Sequence, residues 1–327
     1  MSEGAALDLP SLLVIVGPTA SGKSALAARL GAALGGEVMS ADSVQVYRHF
    51  DIGAGKPSEH ELALCPHHLI GIRDPGEVLE ASAWAELAAA QIAEVLSRGK
   101  RPIICGGTFL WIRALLFGLA DAPAGDEQIR ERHRALAETH GRAHLHELLK
   151  KIDAKSAERL HENDLLRVSR ALEVYELSGR PLSEIQEEHG FSTPRYTARL
   201  IAIDWPVDQY EARLQARVQA MIQAGLVEEV RRLIELGYGE SRAMGSVGYR
   251  QVYEALTTEP TVSESALIAK IVQVTRIFAR RQRTWLRDEN VELLPAAVLT
   301  DDDVLGEHIE RLKLRAETAP LQLLSLT

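Results

Sequence analysis

Gly17-Pro18-Thr19-Ala20-Ser21-Gly22-Lys23-Ser24 sets two glycines, a lysine and a serine at the spacing G-x-x-x-x-G-K-[ST], the pattern of a loop that holds phosphates. The chemistry follows from the residue types. Gly22 lets the backbone approach an anion closely, and the amides of the loop and of a helix starting there point at it. Lys23 adds a full positive charge, and Thr19 and Ser21 offer hydroxyl donors. Ser24 offers a hydroxyl to a magnesium ion. The pattern calls for a polyphosphate ligand and does not single out ATP. Two further groups stand where they could work beside it. Asp42 lies just past the short strand-like stretch 37–40, and Thr108 follows Gly106-Gly107 at the end of the apolar run 102–105.

The flanking residues supply the elements such a loop needs. Residues 12–16 form an apolar run of strand length that leads into the loop. Leu26, Leu30 and Leu34 then recur every four residues, as on one helix face, and Gly35-Gly36 stop the pattern. Residues 37–40 and 102–105 read as further strands, so Asp42 and Thr108 fall at strand carboxyl ends, where open α/β sheets bind ligands. Residues 51–76, rich in Gly, Pro and His, read as irregular loop with short strands. Helices are expected over 80–98 and 109–117. After a linker at 121–126 the pattern is helical throughout to Gly190, with Asp126, Asp153 and Asp164 as N-caps and Gly141, Gly179 and Gly190 as stops. Residues 191–194 read as the return linker and 200–204 as a strand. Helices follow over 208–224, 226–236 and 264–285, then a last strand over 291–294. The expected fold is α/β, a P-loop NTPase-like parallel sheet core (1–122 and 195–327) interrupted by an all-helical insertion domain (123–194).

Composition narrows the class. With 46% hydrophobic and 25% charged residues the chain has ordinary globular content. Cys65 and Cys105 lie far apart without a C-x-x-C, against a zinc site or disulfide framework and for a reducing compartment. Residues 1–10 lack a basic segment followed by an apolar core, so no signal peptide is expected, and no stretch is apolar for long enough to cross a bilayer. The expectation is a cytoplasmic monomer. The net charge of −9 speaks against nucleic acid, but residues 242–287 hold eight arginines and lysines against three glutamates. A local basic stripe can track a phosphate backbone.

A small-molecule or nucleotide kinase would place a magnesium-binding Asp at the end of an apolar strand. Residues 103–105 end in Gly-Gly-Thr instead, and Asp204 comes only after the insertion, where a strand-end turn is the plainer role. Asp42 is therefore the acid nearest the loop. An RNA-binding regulator whose loop senses nucleotide is a further alternative. Adjacent His67 and His68 point opposite ways on an extended segment and do not share a metal, and Cys105 reads as a buried strand cysteine.

The phosphate loop, Ser40-Ala41-Asp42-Ser43-Val44-Gln45-Val46-Tyr47, Asp51-Ile52-Gly53-Ala54-Gly55-Lys56-Pro57 and Pro66-His67-His68-Leu69 resemble blocks of the tRNA dimethylallyltransferase family. So do Gly106-Gly107-Thr108, Ser169-Arg170-Ala171-Leu172-Glu173, Val247-Gly248-Tyr249-Arg250-Gln251 and Arg280-Arg281-Gln282-Arg283-Thr284-Trp285-Leu286. The blocks run in family order over nearly the whole chain, without the zinc finger of eukaryotic members. The resemblance implies transfer of a dimethylallyl group from dimethylallyl diphosphate to N6 of the adenosine at tRNA position 37, with Mg2+. In that chemistry Asp42 is the candidate base for the amine proton, Thr108 bonds the bridging oxygen or orients the amine, and Arg217 lies on the diphosphate. The resemblance further implies contacts to the tRNA anticodon stem-loop from Asp42, Ser43, Val44, Gln45 and Thr108. Gln45 would read an adenine edge. Arg130, Leu166, Arg167 and Arg170 of the insertion, Val247, Gly248, Tyr249, Arg250 and Gln251, and Arg281 complete that implied set, with Arg280 and Arg283 facing phosphates.

Overall fold

The computed structural model describes residues 11–190, 193–258, 263–287 and 289–316. Residues 1–10, where no signal peptide is expected, and Phe191 and Ser192 of the expected return linker lie outside them. Among the described residues no helix is long and apolar enough to cross a membrane. These residues form two compact units, one of those up to Leu116 together with those from Pro194 onward, the other Phe117–Thr193.

The first unit is built on a six-stranded, all-parallel sheet. Its strands are β1 (Ser11–Val16), β2 (Gly36–Ala41), β3 (His67–His68), β4 (Arg101–Gly106), β5 (Thr197–Asp204) and β6 (Val291–Pro295). They lie in the order β3-β2-β4-β1-β5-β6. β1 is central, with Leu13 opposite Ile103 of β4 and Ile15 opposite Ile201 of β5. A strand covered on both faces must be apolar at successive positions rather than alternate ones, and Leu12 to Val16 are all buried. α1 (Lys23–Leu34) follows β1, and its chain returns as β2 beyond β4. The carboxyl ends of β1, β2 and β4 therefore come together. Register puts Val16 beside Gly106, and Gly106 beside Ala41, so the phosphate loop, Asp42 and Thr108 leave the sheet at one edge.

Residues 51–76 are less irregular than expected. They contain α2 (Glu59–Leu64), opened by a capping box in which Ser58 and Glu61 satisfy each other's backbone amides. None of its residues is buried, so the cap rather than an apolar stripe marks this helix, and Ser58-x-x-Glu61 is its signature in the chain. α3 (Ala81–Ser97) and α4 (Phe109–Phe117) match expectation. Past β5 come α10 (Val207–Gln223), α11 (Leu226–Glu235), α12 (Tyr249–Thr257), α13 (Glu264–Arg287) and α14 (Asp302–Ala316); α12 and α14 were not anticipated.

The second unit is wholly helical: α5 (Glu127–His140), α6 (Arg142–Ile152), α7 (Ala154–Arg159), α8 (Leu165–Ser178) and α9 (Leu182–His189). Its core joins Leu145, Leu149, Ala157, Val168, Ala171 and Leu172. The expected caps act. Asp126, Asp153 and Asp164 accept backbone amides at the starts of α5, α7 and α8. Asp153, buried, also accepts the Ser183 amide and hydroxyl, at 3.0 and 2.6 Å, and so ties α7 to α9.

Candidate functional site

The phosphate loop is clamped by side chains from the far end of the chain. Trp205 Nε1 donates to the Ser21 carbonyl at 2.9 Å, and the Tyr210 hydroxyl donates to the Thr19 carbonyl at 2.7 Å. Arg213 Nε donates to the Ala20 carbonyl at 2.7 Å. Ala20 has φ +64°, a left-handed conformation that costs a residue with a Cβ about 1–2 kcal/mol; the Arg213 bond holds its peptide in that pose. The Thr19 amide donates to Gln282 Oε1 at 2.9 Å. Gly22, at φ +89°, is the N-cap of α1, a conformation glycine adopts freely. The Ser21 hydroxyl is buried and has no hydrogen-bond partner among the described residues.

Lys23 lies beneath the loop, with Nζ 3.5 Å from the Pro18 carbonyl. Burial lowers its pKa, while Cys105 and Asp42 are near enough to raise it and Arg217 to lower it further. Arg217 is also lowered by burial, with the Asp42 charge opposing. Lys23, Asp42 and Arg217, expected from motif and resemblance, thus converge on one site, and Lys23, Ser24 and Asp42 line one cavity with Gln45, His67 and Cys105. Burial pushes the Cys105 thiol up to about 12, which makes it an inert wall, as its strand position implied.

Asp42 follows β2. Its Oδ1 accepts the Val44 amide at 2.9 Å and the Gln45 amide at 3.3 Å. One oxygen therefore caps the turn and fixes the carboxylate at the cavity wall. Thr108 joins the same turn, its hydroxyl accepting the Ser43 amide at 3.0 Å and its own amide donating to the Ala41 carbonyl at 3.1 Å. Asp204 is exposed at the end of β5, and Register sets it beside Pro295; it is a strand-end residue. His67 Nδ1 is 2.9 Å from the Cys65 carbonyl and His68 Nε2 is 2.6 Å from Glu37, so the two rings serve different partners. Among the described residues no three His, Cys, Asp or Glu side chains gather as a metal cage.

Several residues expected to touch a nucleic acid are committed elsewhere. Gln45 is buried, its Oε1 accepting the Ser40 hydroxyl at 2.8 Å and its Nε2 donating to the Gly55 carbonyl at 2.8 Å. It braces the Asp42 turn instead of offering an edge to adenine. Tyr249 is fully buried; its hydroxyl accepts the Ala54 amide at 3.0 Å and donates to Glu229 at 2.5 Å. Glu229 also accepts the Ile52 amide at 2.8 Å, so this pair holds residues 51–55 in place. Gln251 caps α12 through the Gly248 amide at 2.8 Å and is buried, as is Gly248. Val247 is half-buried, which leaves Arg250 as the exposed member of that block, paired with Glu254 at 2.9 Å. The basic stripe is likewise partly neutralised: Arg242 pairs with Glu80, Lys270 with Glu254 and Arg276 with Glu211. Arg283 lies over the Tyr210 ring at 4.1 Å. Arg280 and Arg281 are exposed on α13 and Ser43 on the Asp42 turn, while Val44 is half-buried.

In the helical unit, Arg130 and Arg170 both bind the buried Glu173, Arg130 Nε at 2.9 Å, and the Asp126 amide donates to the same carboxylate at 2.6 Å. Each arginine supplies hydrogen bonds to this buried carboxylate, so both are framework rather than free contacts. Leu166 and Arg167, in the first turn of α8, are exposed at 79% for the leucine and 73% for the arginine side chain.

The residues missed from the sequence are Trp205, Tyr210, Arg213 and Glu229, while Gln282 stands there only as part of the block 280–286, without a role. No local spacing marks them, since each meets backbone more than 150 positions away, and Glu229 meets Tyr249 besides.

Comparison with known proteins shows the family. Residues 45–289 match the family model described as IPP transferase. The chain belongs to the IPP transferase family, the tRNA dimethylallyltransferases. It is 53% identical over 280 residues to the tRNA dimethylallyltransferase of Sorangium cellulosum, covering 86% of this chain and 88% of that one. It is 43% identical over 289 residues to that of Myxococcus xanthus, covering 88% and 93%. Among solved structures, the tRNA delta(2)-isopentenylpyrophosphate transferase of Staphylococcus epidermidis superposes with TM-score 0.66 at 33% identity, over 94% of this chain and 99% of that one. A eukaryotic dimethylallyltransferase acting on tRNA superposes with TM-score 0.77 at 25% identity, over 97% and 82%. Family membership accounts for the blocks seen in the sequence and makes the chain a prenyl transferase.

Proposed function

We propose that this chain transfers the dimethylallyl group of dimethylallyl diphosphate to N6 of adenosine-37 in the tRNA anticodon loop. The observation that carries it is that Lys23 and Asp42 line one cavity and Arg217 lies close enough to act on the charge of both: two cations for a leaving diphosphate and one carboxylate for an amine proton. The allylic C–O bond breaks and its electron pair leaves on the diphosphate. Loop amides, Lys23 and Arg217 stabilise that charge, and the orphaned Ser21 hydroxyl suits a phosphate oxygen. The adenine N6 lone pair forms the new C–N bond, and its proton passes to Asp42. Thr108, bonded to the Asp42 turn, orients the amine.

Ser24 lines the cavity beside Lys23, which fits a magnesium ion held by one hydroxyl, diphosphate oxygens and water rather than by an all-protein cage. Bound there, Mg2+ would neutralise charge on the leaving group. The target base must leave its stack to reach Asp42. Leu166 and Arg167 of the insertion, Arg250 and Arg281 are the exposed groups suited to the anticodon stem-loop. The setting proposed for this work is a monomer in the cytoplasm, where a tRNA substrate is met. A kinase role is disfavoured by Thr108 where a magnesium Asp is needed and by the exposed Asp204. The test is mass spectrometry of unmodified tRNA incubated with the protein, dimethylallyl diphosphate and Mg2+. One dimethylallyl unit gained at adenosine-37 is expected; an unchanged tRNA, or labelled γ-phosphate on a small acceptor, would replace this function with another.

A further inference from the structure

We propose that Gln282 is a positioning residue that locks the leaving-group cradle to the acceptor-side loop, an inference that rests on the function proposed above. Gln282 lies on α13 and is 6% exposed. Its carboxamide is used at both ends. Oε1 accepts the Thr19 amide of the phosphate loop at 2.9 Å, and Nε2 donates to the Gly107 carbonyl at 3.1 Å. Gly107 precedes Thr108, whose hydroxyl holds the Ser43 amide in the Asp42 turn. One side chain thus spans the loop that grips the donor and the loop that aligns the base.

Two further observations show that the bridge is built in. A Cβ on Gly107 would come within 2.5 Å of Gln282 Nε2, so the glycine leaves the space the carboxamide fills. The Thr19 peptide is held on both sides, its amide by Gln282 and its carbonyl by the Tyr210 hydroxyl. Arg283, the next residue on α13, lies over the Tyr210 ring at 4.1 Å. The helix therefore fixes the loop through two neighbouring side chains, and one amide of the phosphate loop is taken by protein rather than left for the ligand. Transfer between a bound donor and a bound acceptor depends on their alignment, and misplacement of about 1 Å can cost about 100-fold in rate. The bridge acts on kcat more than on donor affinity.

The experiment uses the full chain with tRNA and dimethylallyl diphosphate. Gln282→Leu, checked for folding by circular dichroism, is expected to lower kcat by about 30- to 100-fold while the KM for the donor changes less than about threefold. Gln282→Glu adds a readout that a merely structural role would not move. Its ionised carboxylate still accepts from Thr19 but repels the Gly107 carbonyl, whereas the protonated form donates to it. The rate relative to wild type is therefore expected to rise as pH falls from about 8 toward 5, approaching carboxyl protonation, and this arm decides the matter if the leucine variant does not fold. A folded Gln282→Leu protein with kcat within twofold of wild type, or a Gln282→Glu ratio that is flat with pH, overturns the proposal while wild-type turnover upholds the function. A wild-type chain that leaves tRNA unmodified overturns both.

Discussion

Arg217 occupies the space that a side chain on Gly55 would need: a Cβ there would lie 2.3 Å from its Nη2. Gly55 also has φ +59° and donates its amide to the Ile52 carbonyl at 3.0 Å. The turn over 52–55 is thus the seat on which the half-buried Arg217 rests, near Lys23 and Asp42.

Gly55→Ala is expected to push Arg217 off that seat. The far end of an arginine is flexible, so the fold should survive, while kcat/KM for dimethylallyl diphosphate falls about 10-fold, or about 1.4 kcal/mol. Steady-state kinetics with the donor varied would check it, and unchanged kcat/KM would show that Arg217 does not need this seat.

Asp42→Asn keeps the size of the side chain and can still accept the Val44 amide, so the turn should hold. It cannot take a proton. Turnover is expected to fall by about 100- to 10,000-fold with tRNA binding retained, as read by single-turnover rates beside a filter-binding titration. Near-normal rates would remove Asp42 as the base.

Tyr249→Phe removes a buried hydroxyl that serves Glu229 and the Ala54 amide. Leaving the Ala54 amide without its acceptor and Glu229 with one donor fewer should cost about 1–3 kcal/mol, measured by urea denaturation. If the tyrosine were instead an exposed nucleic-acid contact, stability would be untouched and tRNA affinity would drop.

The two kinds of arginine in the helical unit should separate cleanly. Arg167→Ala, at an exposed site, is expected to weaken tRNA binding and to reduce the slope of log K against log salt by about 1, with an unchanged melting temperature. Arg170→Ala should instead destabilise the chain, because the buried Glu173 loses one of its donors and the Pro123 carbonyl loses its bond from Arg170.

Glu173 also makes a pH prediction. Burial alone would raise its pKa, but the Arg170 bond, the Asp126 amide and Arg130 outweigh it and hold the carboxyl below its ordinary value. A carboxylate depressed on folding stabilises the native state above its unfolded pKa, and that stability is lost as pH falls through the folded one. Thermal stability should therefore drop as the solution is acidified below about pH 4. Glu173→Gln should be less stable than wild type at neutral pH, with the gap narrowing in acid. Melts followed by circular dichroism across that range would show a constant gap if Glu173 contributed nothing.

What the sequence by itself determined were features with a local cause. The loop 17–24, the strand before it and the helix after it are adjacent in the chain, so spacing and apolar period were enough to read them. The caps at Asp126, Asp153 and Asp164 bond amides a few residues onward, and the helical insertion was legible for the same reason. The placement of Asp42 and Thr108 followed from strand ends. α2 could have been read from Ser58-x-x-Glu61, but its lack of any buried residue left no apolar stripe to mark it. Tertiary structure alone decided which polar groups face the cavity and which are consumed by the framework. Gln45 and Tyr249 look in sequence like contacts for a base, yet both are buried and bonded to backbone or to Glu229. Arg130 and Arg170 are both held by the one buried carboxylate of Glu173. Gln282, Tyr210 and Arg213 reach the phosphate loop across 263, 191 and 193 positions. A hydrogen bond at such separation is fixed by how helices pack on the sheet, and residue spacing along the chain carries no trace of it.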